Sequence, residues 1–223
     1  MAHPQEGTLK FQLRFTPAAP IDLRAHGELN AWRRILFLLQ LIGQDPARYA
    51  GYGFGNISQR IAPFDAPPAS AGSAEPALCR FVITGTQTGG LPHLSAEHYA
   101  VVTECRPELN LIVAEGPIKP SAESLTHGSV YALDPGARFV MHAHSPHIWQ
   151  RARQLDIPTT PEHVPYGTPE MARAVSQLFA ETDVAERRIF CMGGHEDGVI
   201  TFGATAEQAG CVMLTWLARA LAV

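Results

Sequence analysis

The stretch "GARFVMHAHSPHIWQRARQL", residues 136–155, decides how the chain is read. Its first half is a short apolar run and predicts a buried strand that ends near His144. Ser145 and Pro146 then predict a helix, with the serine as N-cap and the proline in the first helical position, where its missing N–H costs nothing. Alternate side chains of a strand share a face, so His142 and His144 stand about 6.6 Å apart on one side. That spacing lets two imidazoles converge on one ion at roughly 2.0–2.1 Å, while Met141 and Ala143 turn the other way into packing. A pair of hydrogen-bonded histidines at a sheet edge is the plainer alternative. A strand end that runs into a helix cap is, however, where α/β proteins place their sites.

Outward from that stretch, helical and strand periodicities alternate. "LRAHGELNAWRRILFLLQLIG" (23–43) carries Trp32, Ile35, Leu36, Leu39 and Ile42 at helical spacing, with Gly43 able to close the helix. "GYGFGNISQRIA" (51–62) predicts a glycine turn and then a strand. "DAPPASAGSAEPA" (65–77) has no periodicity and is expected to be a flexible surface loop between strands, since "CRFVITGT" (79–86) resumes the apolar signal at once. "HYAVVTE" and "LNLIVAEG" predict strands around a turn at "CRPE". A helix is expected from "PSAESLTHGSVYAL" (120–133), with Ser121 as N-cap and Leu125, Val130 and Leu133 facing inward. "GTPEMARAVSQLF" (167–179) repeats the cap-then-proline device with Thr168 and Pro169. "RIFCMGG" and "GVITFG" are strands, and Thr205 with Gln208 fits a capping box opening the last helix. There is no internal repeat and no G-x-G-x-x-G turn. The expected fold is α/β: a single three-layer αβα domain over residues 1–223 with a mixed central sheet.

Bulk properties narrow the function class. The 223 residues are 46% hydrophobic and 17% charged, enough apolar matter for a substantial core. A formal net charge of −4 argues against a nucleic-acid partner, which requires clustered Lys and Arg. Arg151 with Arg153, and Arg187 with Arg188, are pairs of the kind found on solvated helix faces. Cys79, Cys105, Cys191 and Cys211 show no C-x-x-C spacing, so reduced thiols are expected. "ILFLLQLI" is far short of the roughly 20 residues that span a bilayer, and the N-terminus lacks a secretion pattern. A soluble, cytoplasmic protein with no membrane partner is the expectation.

Two further pieces join the histidine pair. "KPSAESLTH" places Glu123 in the first turn of a helix, where the dipole favours a carboxylate. "MGGHEDGVITFG" places His195 in a glycine-rich turn between two strands. Three imidazoles and a carboxylate suit a divalent transition ion, zinc above all.

The order Glu, His-x-His, His carries a resemblance. The pieces "GFGNIS", "FVITGTQTGG", "KPSAESLTH", "VMHAHSPH" and "HEDGVITFG" stand in the order of the class II aldolase/adducin domain family, whose founding activity is L-fuculose-1-phosphate aldolase. The resemblance implies that His142, His144 and His195 hold zinc or another divalent transition metal. It also implies that Glu123 ligates the resting metal and then acts as the catalytic base. It further implies a small-molecule substrate, with its phosphate held by Asn56, Ser121 and a Thr-Gly pair. That pair is Thr84-Gly85 or Thr88-Gly89, with Thr88 and Gly89 taken as the substrate-binding residues. The implied activity is that of a zinc-dependent lyase performing retro-aldol cleavage of a small hydroxy-ketone or sugar phosphate through a metal-stabilised enediolate. A sugar-phosphate dehydratase and a non-catalytic, adducin-like interaction module are the alternatives within the family. Homotetramers with four-fold symmetry are the implied assembly. The sequence departs from the family in three places. Ala122 replaces the second serine of the "PSSE"-like motif, "HED" replaces the usual His-Gly, and the tyrosine-bearing segment that supplies the family's acid is absent. Tyr166 and His163 are the residues at hand to replace it.

Overall fold

The computed structural model describes residues 8–64 and 79–223, so the loop expected around 65–77 lies outside the described residues. Eight strands form the main sheet: β1 (Gln12–Pro17), β4 (Asn56–Arg60), β5 (Phe81–Thr84), β6 (Tyr99–Arg106), β7 (Leu111–Gly116), β8 (Phe139–His144), β9 (Ile189–Cys191) and β10 (Gly198–Gly203). Their order is β1-β7-β6-β5-β4-β8-β10-β9. Every neighbouring pair is antiparallel except β1 with β7, which makes the sheet mixed. Two short strands, β2 (Gly43–Gln44) and β3 (Gly53–Phe54), pair separately.

The helices are α1 (Gly27–Leu38), α2 (Ser124–Leu133), α3 (Pro146–Gln150), α4 (Pro169–Glu181), α5 (Val184–Arg187) and α6 (Ala206–Leu221). They divide between the two faces of the sheet, and strand alternation explains how. Phe81, Ile83, Val140, Ile200 and Phe202 point to one side and pack with Leu125 and Val130 of α2 and Met171 and Val175 of α4. Val82, Met141, Ala143 and Val199 point to the other and pack with Leu29 and Leu36 of α1, Ile148 of α3 and Met213 of α6. Each fully buried side chain of this size contributes roughly 1.5–3 kcal/mol of burial before entropy is charged against it. The result is the three-layer arrangement expected from the sequence.

Several helix starts follow their sequence signals. Ser145 Oγ accepts the Ile148 N–H at 3.3 Å, Thr168 Oγ1 that of Met171 at 3.3 Å, and Thr205 Oγ1 that of Gln208 at 3.0 Å. Gln208 does not complete a capping box on Thr205. Its Oε1 reaches one residue further and accepts the Ala204 N–H at 2.8 Å.

Other boundaries differ from the sequence reading. Ser121 is not the N-cap of α2. The helix begins at Ser124 with Glu123 in the cap position, and Ser121 closes the preceding turn, its Oγ accepting the Glu123 N–H at 3.3 Å. α1 ends at Leu38, well before Gly43. Gln40 adopts the left-handed conformation (φ 59), the Leu41 N–H reaches the Leu36 carbonyl at 2.9 Å and the Gln40 N–H that of Phe37 at 3.0 Å. This is a Schellman closure built on glutamine, where glycine is the usual signal. Gly43 belongs to β2. α3 stops at Gln150, and turns occupy the rest of the expected helix. The strand β1 has no counterpart in the sequence reading.

Candidate metal centre and adjoining cleft

β8 is buried along its whole length because both faces of the sheet are covered there. Two of its residues on the α2 side are His142 and His144, polar groups in a place where burial without partners is costly. Antiparallel pairing sets His142 opposite Asn56 of β4 and Ile200 of β10, and His144 opposite Gly198. His195 arrives from the β9–β10 turn, where its N–H donates to the Met192 carbonyl and its own carbonyl accepts from Gly198. That turn needs glycine. A β-carbon at Gly194 would stand 2.0 Å from the Val164 carbonyl oxygen, and one at Gly193 would stand 2.2 Å from that of Thr160.

The three rings meet. Centroid separations are 4.9 Å for His142–His144, 5.0 Å for His142–His195 and 4.7 Å for His144–His195. One nitrogen from each lies within 4.8 Å of the others, and exposures are 0%, 1% and 4%. His142 Nε2 and His144 Nε2 are 3.1 Å apart. Two ligands of a tetrahedral ion with metal–nitrogen bonds of 2.0–2.1 Å stand about 3.3 Å apart, so the donor set fits a zinc-sized cation. Burial, and after it the neighbouring His195, hold His142 and His144 well below the ordinary imidazole range, and the backbone at Val199 offsets this slightly for His142. Neutral imidazole is the form that ligates.

Glu123 completes the group. Its Oε1 is 3.3 Å from His195 Nδ1, its Oε2 accepts from Thr126 Oγ1 at 3.3 Å, and the residue is 2% exposed. Its place at the start of α2 puts the carboxylate at the positive end of the helix.

Glu123 also lines a small polar cleft. Asn56, Ser121, Ala122, Thr88, Gly89 and Gly85 share that lining. The Asn56 side-chain oxygen is buried and has no hydrogen-bond partner among the described residues. Of the two candidate Thr-Gly pairs, both glycines reach the cleft. Thr84 does not line it, and Thr84 Oγ1 accepts the Ile57 N–H at 3.3 Å. Thr88 lines it, but its hydroxyl donates to the Gly85 carbonyl at 2.8 Å and so shapes the turn. Ala122 leaves one wall without the hydroxyl that serine would bring.

The structure also brings in residues that the sequence reading passed over. Tyr49 packs edge-on against His144, with centroids 4.5 Å apart. Its hydroxyl donates to Asp197 Oδ2 at 2.6 Å and accepts from Arg48 Nη2 at 2.5 Å. Burial, then the bond to Asp197, push that hydroxyl far above the ordinary phenol range, so it remains a donor. Asp197 is part of the "HED" departure, and its own carbonyl takes the Ser145 N–H at 2.8 Å. It therefore ties the His195 turn to the end of β8 and to the Tyr49 loop. Tyr166 stacks on His195 at 4.3 Å, and Lys10 Nζ sits 3.3 Å over the Tyr166 ring. His163 is exposed. Arg33 of α1 is buried and donates to carbonyls of the 88–91 turn.

The sequence matches the family model of the Class II Aldolase and Adducin N-terminal domain over residues 47–221. The chain belongs to that family. Solved structures agree on the fold. L-fuculose-1-phosphate aldolase from Thermus thermophilus is 21% identical with a TM-score of 0.60, over 89% of this chain and 92% of that one. A sugar-phosphate aldolase from Thermotoga maritima is 15% identical with a TM-score of 0.59, over 88% and 93%. An aldolase II superfamily protein from Pseudomonas syringae is 15% identical with a TM-score of 0.55, over 91% and 75%. Among curated proteins no sequence match was found. Class II aldolases typically use a divalent metal, and this family member has a histidine cluster able to bind one. Among the described residues no helix is long and apolar enough to cross a membrane.

Proposed function

We propose that this class II aldolase family member is a metal-dependent lyase, with zinc the first expectation, cleaving a carbon–carbon bond beside a carbonyl in a small hydroxy-ketone or sugar phosphate. One observation carries the reading: three buried imidazoles converge beside a buried carboxylate that also forms the wall of a small polar cleft. His142, His144 and His195 would hold the ion. A divalent ion so held supplies Lewis-acid polarisation of a substrate oxygen. Glu123 moves the proton. In the condensation direction it takes a proton from the carbon next to the carbonyl, and in cleavage it returns that proton to the same carbon. Asn56 and Ser121, with the backbone of the Thr88–Gly89 turn, grip the substrate's anionic end. Tyr49, edge-on to His144, and Tyr166, stacked on His195, border the cluster and keep water from that side. An adducin-like interaction module gains nothing from a buried imidazole cluster, which costs folding free energy when no ligand compensates it.

Products settle the reaction class. Incubated with a panel of ketose phosphates, the wild type is expected to release two shorter carbonyl compounds. Glu123→Gln is expected to lose at least about 100-fold in rate, the span of a general base, with its metal content retained. Release of water with the carbon chain intact would replace cleavage by the dehydratase reading, and unchanged rates in Glu123→Gln would remove the catalytic carboxylate. Tetrameric assembly is proposed on the family resemblance alone, and sedimentation showing a monomer would contradict it.

A further inference from the structure

The strand β1 and the residues just before it lie outside the stretch matching the family model, 47–221, yet they run up to the histidine cluster. Asn110 sets their place. Its Nδ2 donates to the Lys10 carbonyl at 3.0 Å, and its own carbonyl accepts the Gln12 N–H at 2.8 Å. Between those two residues Phe11 is buried in the core that also holds Tyr166. Just ahead of them, the Thr8 N–H donates to the Tyr166 hydroxyl at 3.3 Å. Lys10 Nζ is buried and stands 3.3 Å from the centre of the Tyr166 ring.

Both faces of Tyr166 are occupied. His195 lies against one, with 24° between the ring planes and 4.3 Å between centroids. An ammonium 3.3 Å from the ring centre cannot share that face without overlapping the imidazole, so Lys10 covers the other. Gly167 makes the stack possible. Its φ of 68° turns the chain there, and a β-carbon on it would stand 2.9 Å from the Ala122 carbonyl oxygen and 4.0 Å from Lys10 Cβ. The turn carrying Tyr166 is thus held between Lys10 and the backbone that leads into Glu123. Glu123 Oε1, 3.3 Å from His195 Nδ1, restrains the imidazole at its edge. The tilt of the ring plane is set by what lies flat against it, which is Tyr166. Burying an ammonium costs free energy, and methionine would fill the same length without that cost. What lysine adds is attraction to the negative face of the ring, strongest where water is excluded.

We infer that Lys10 is a positioning residue of the metal centre, pressing Tyr166 flat onto His195 and so fixing the plane of the third imidazole. The inference rests on the proposed reading of the histidine cluster as a metal site. It makes the N-terminal strand, outside the matched family domain, part of the support of that site.

The test loads the full-length protein with cobalt(II) in place of zinc, because its visible absorption reports the geometry of its ligands. Affinity is measured against a competing chelator, and thermal unfolding is followed on the same samples. Lys10→Met is expected to bind cobalt about tenfold more weakly, the low end of the loss when a ligand's outer support is removed, with a shifted visible band. Lys10→Arg, whose guanidinium also stacks on aromatic faces, is expected to stay within about twofold of wild type. Leu13→Ala, which loosens the same strand without altering Lys10 or Tyr166, is expected to melt earlier with cobalt affinity and spectrum unchanged. Wild-type affinity and spectrum in Lys10→Met would overturn the inference and leave the metal site standing. A loss in Lys10→Arg equal to that in Lys10→Met, or an equal loss in Leu13→Ala, would reduce Lys10 to strand packing and overturn it too. No cobalt binding by the wild type would overturn both the inference and the metal site.

Discussion

His127 governs how the folded chain meets acid. It is fully buried one helical turn after Glu123, and its Nδ1 is 2.7 Å from Ser58 Oγ, itself 2.7 Å from the Tyr131 hydroxyl. The Tyr131 hydroxyl in turn donates to the Arg138 carbonyl at 3.3 Å. Read in one direction, His127 donates to Ser58, Ser58 to Tyr131 and Tyr131 to Arg138, so every proton in the chain is placed. Burial lowers the His127 pKa to about 3, against about 6.5 in an unfolded chain. The folded state therefore refuses a proton that the unfolded state accepts. Its stability is complete above pH 6.5 and falls as the pH drops toward 3, by roughly 1 kcal/mol per pH unit for each such histidine. His142 and His144 add to that slope in the metal-free protein. Urea unfolding in chelator across pH 7 to 4 is expected to show stability falling steeply, and His127→Gln should flatten the fall by about one proton's worth. An unchanged slope would show that His127 is not held neutral. At this scale the sequence is informative where chemistry is local. The H-x-H spacing exposes His142 and His144, and the motif around Glu123 exposes the carboxylate. Tyr49 and Asp197, 148 residues apart in the chain, carry no mutual signal, and Arg33 reads as an ordinary helix charge.

At the scale of elements, the turn between β9 and β10 does the assembling. Gly193 and Gly194 let it lie against the 160–164 segment, and that contact delivers His195 to the end of β8. Gly194→Ala forces a β-carbon toward the Val164 carbonyl and should destabilise the protein by about 1–3 kcal/mol, the cost of overpacking. It should also weaken metal binding, since the turn must move. Calorimetric melting and metal titration of the variant check both, and normal values for the two together would mean that the turn tolerates displacement. Element boundaries are legible wherever a side chain announces them. Ser145, Thr168 and Thr205 cap their helices through hydroxyls whose sequence context is distinctive. The end of α1 is hidden because glutamine, which has no preference for the left-handed region, takes it at Gln40. Edge strand β1 is hidden because its place beside β7 is fixed by tertiary pairing rather than by any turn signal in its own sequence.

For the whole molecule, a mixed sheet with helices on both faces makes the inner strand β8 wholly buried, and the polar end of that strand is proposed as a metal site. Equilibrium dialysis against zinc, followed by elemental analysis of wild type and His144→Ala, tests this most directly. Close to one zinc per chain is expected in the wild type, with a loss of at least about tenfold in affinity in the variant, as follows when one of three protein ligands is removed. Substoichiometric zinc in the wild type, or equal zinc in both proteins, would contradict it.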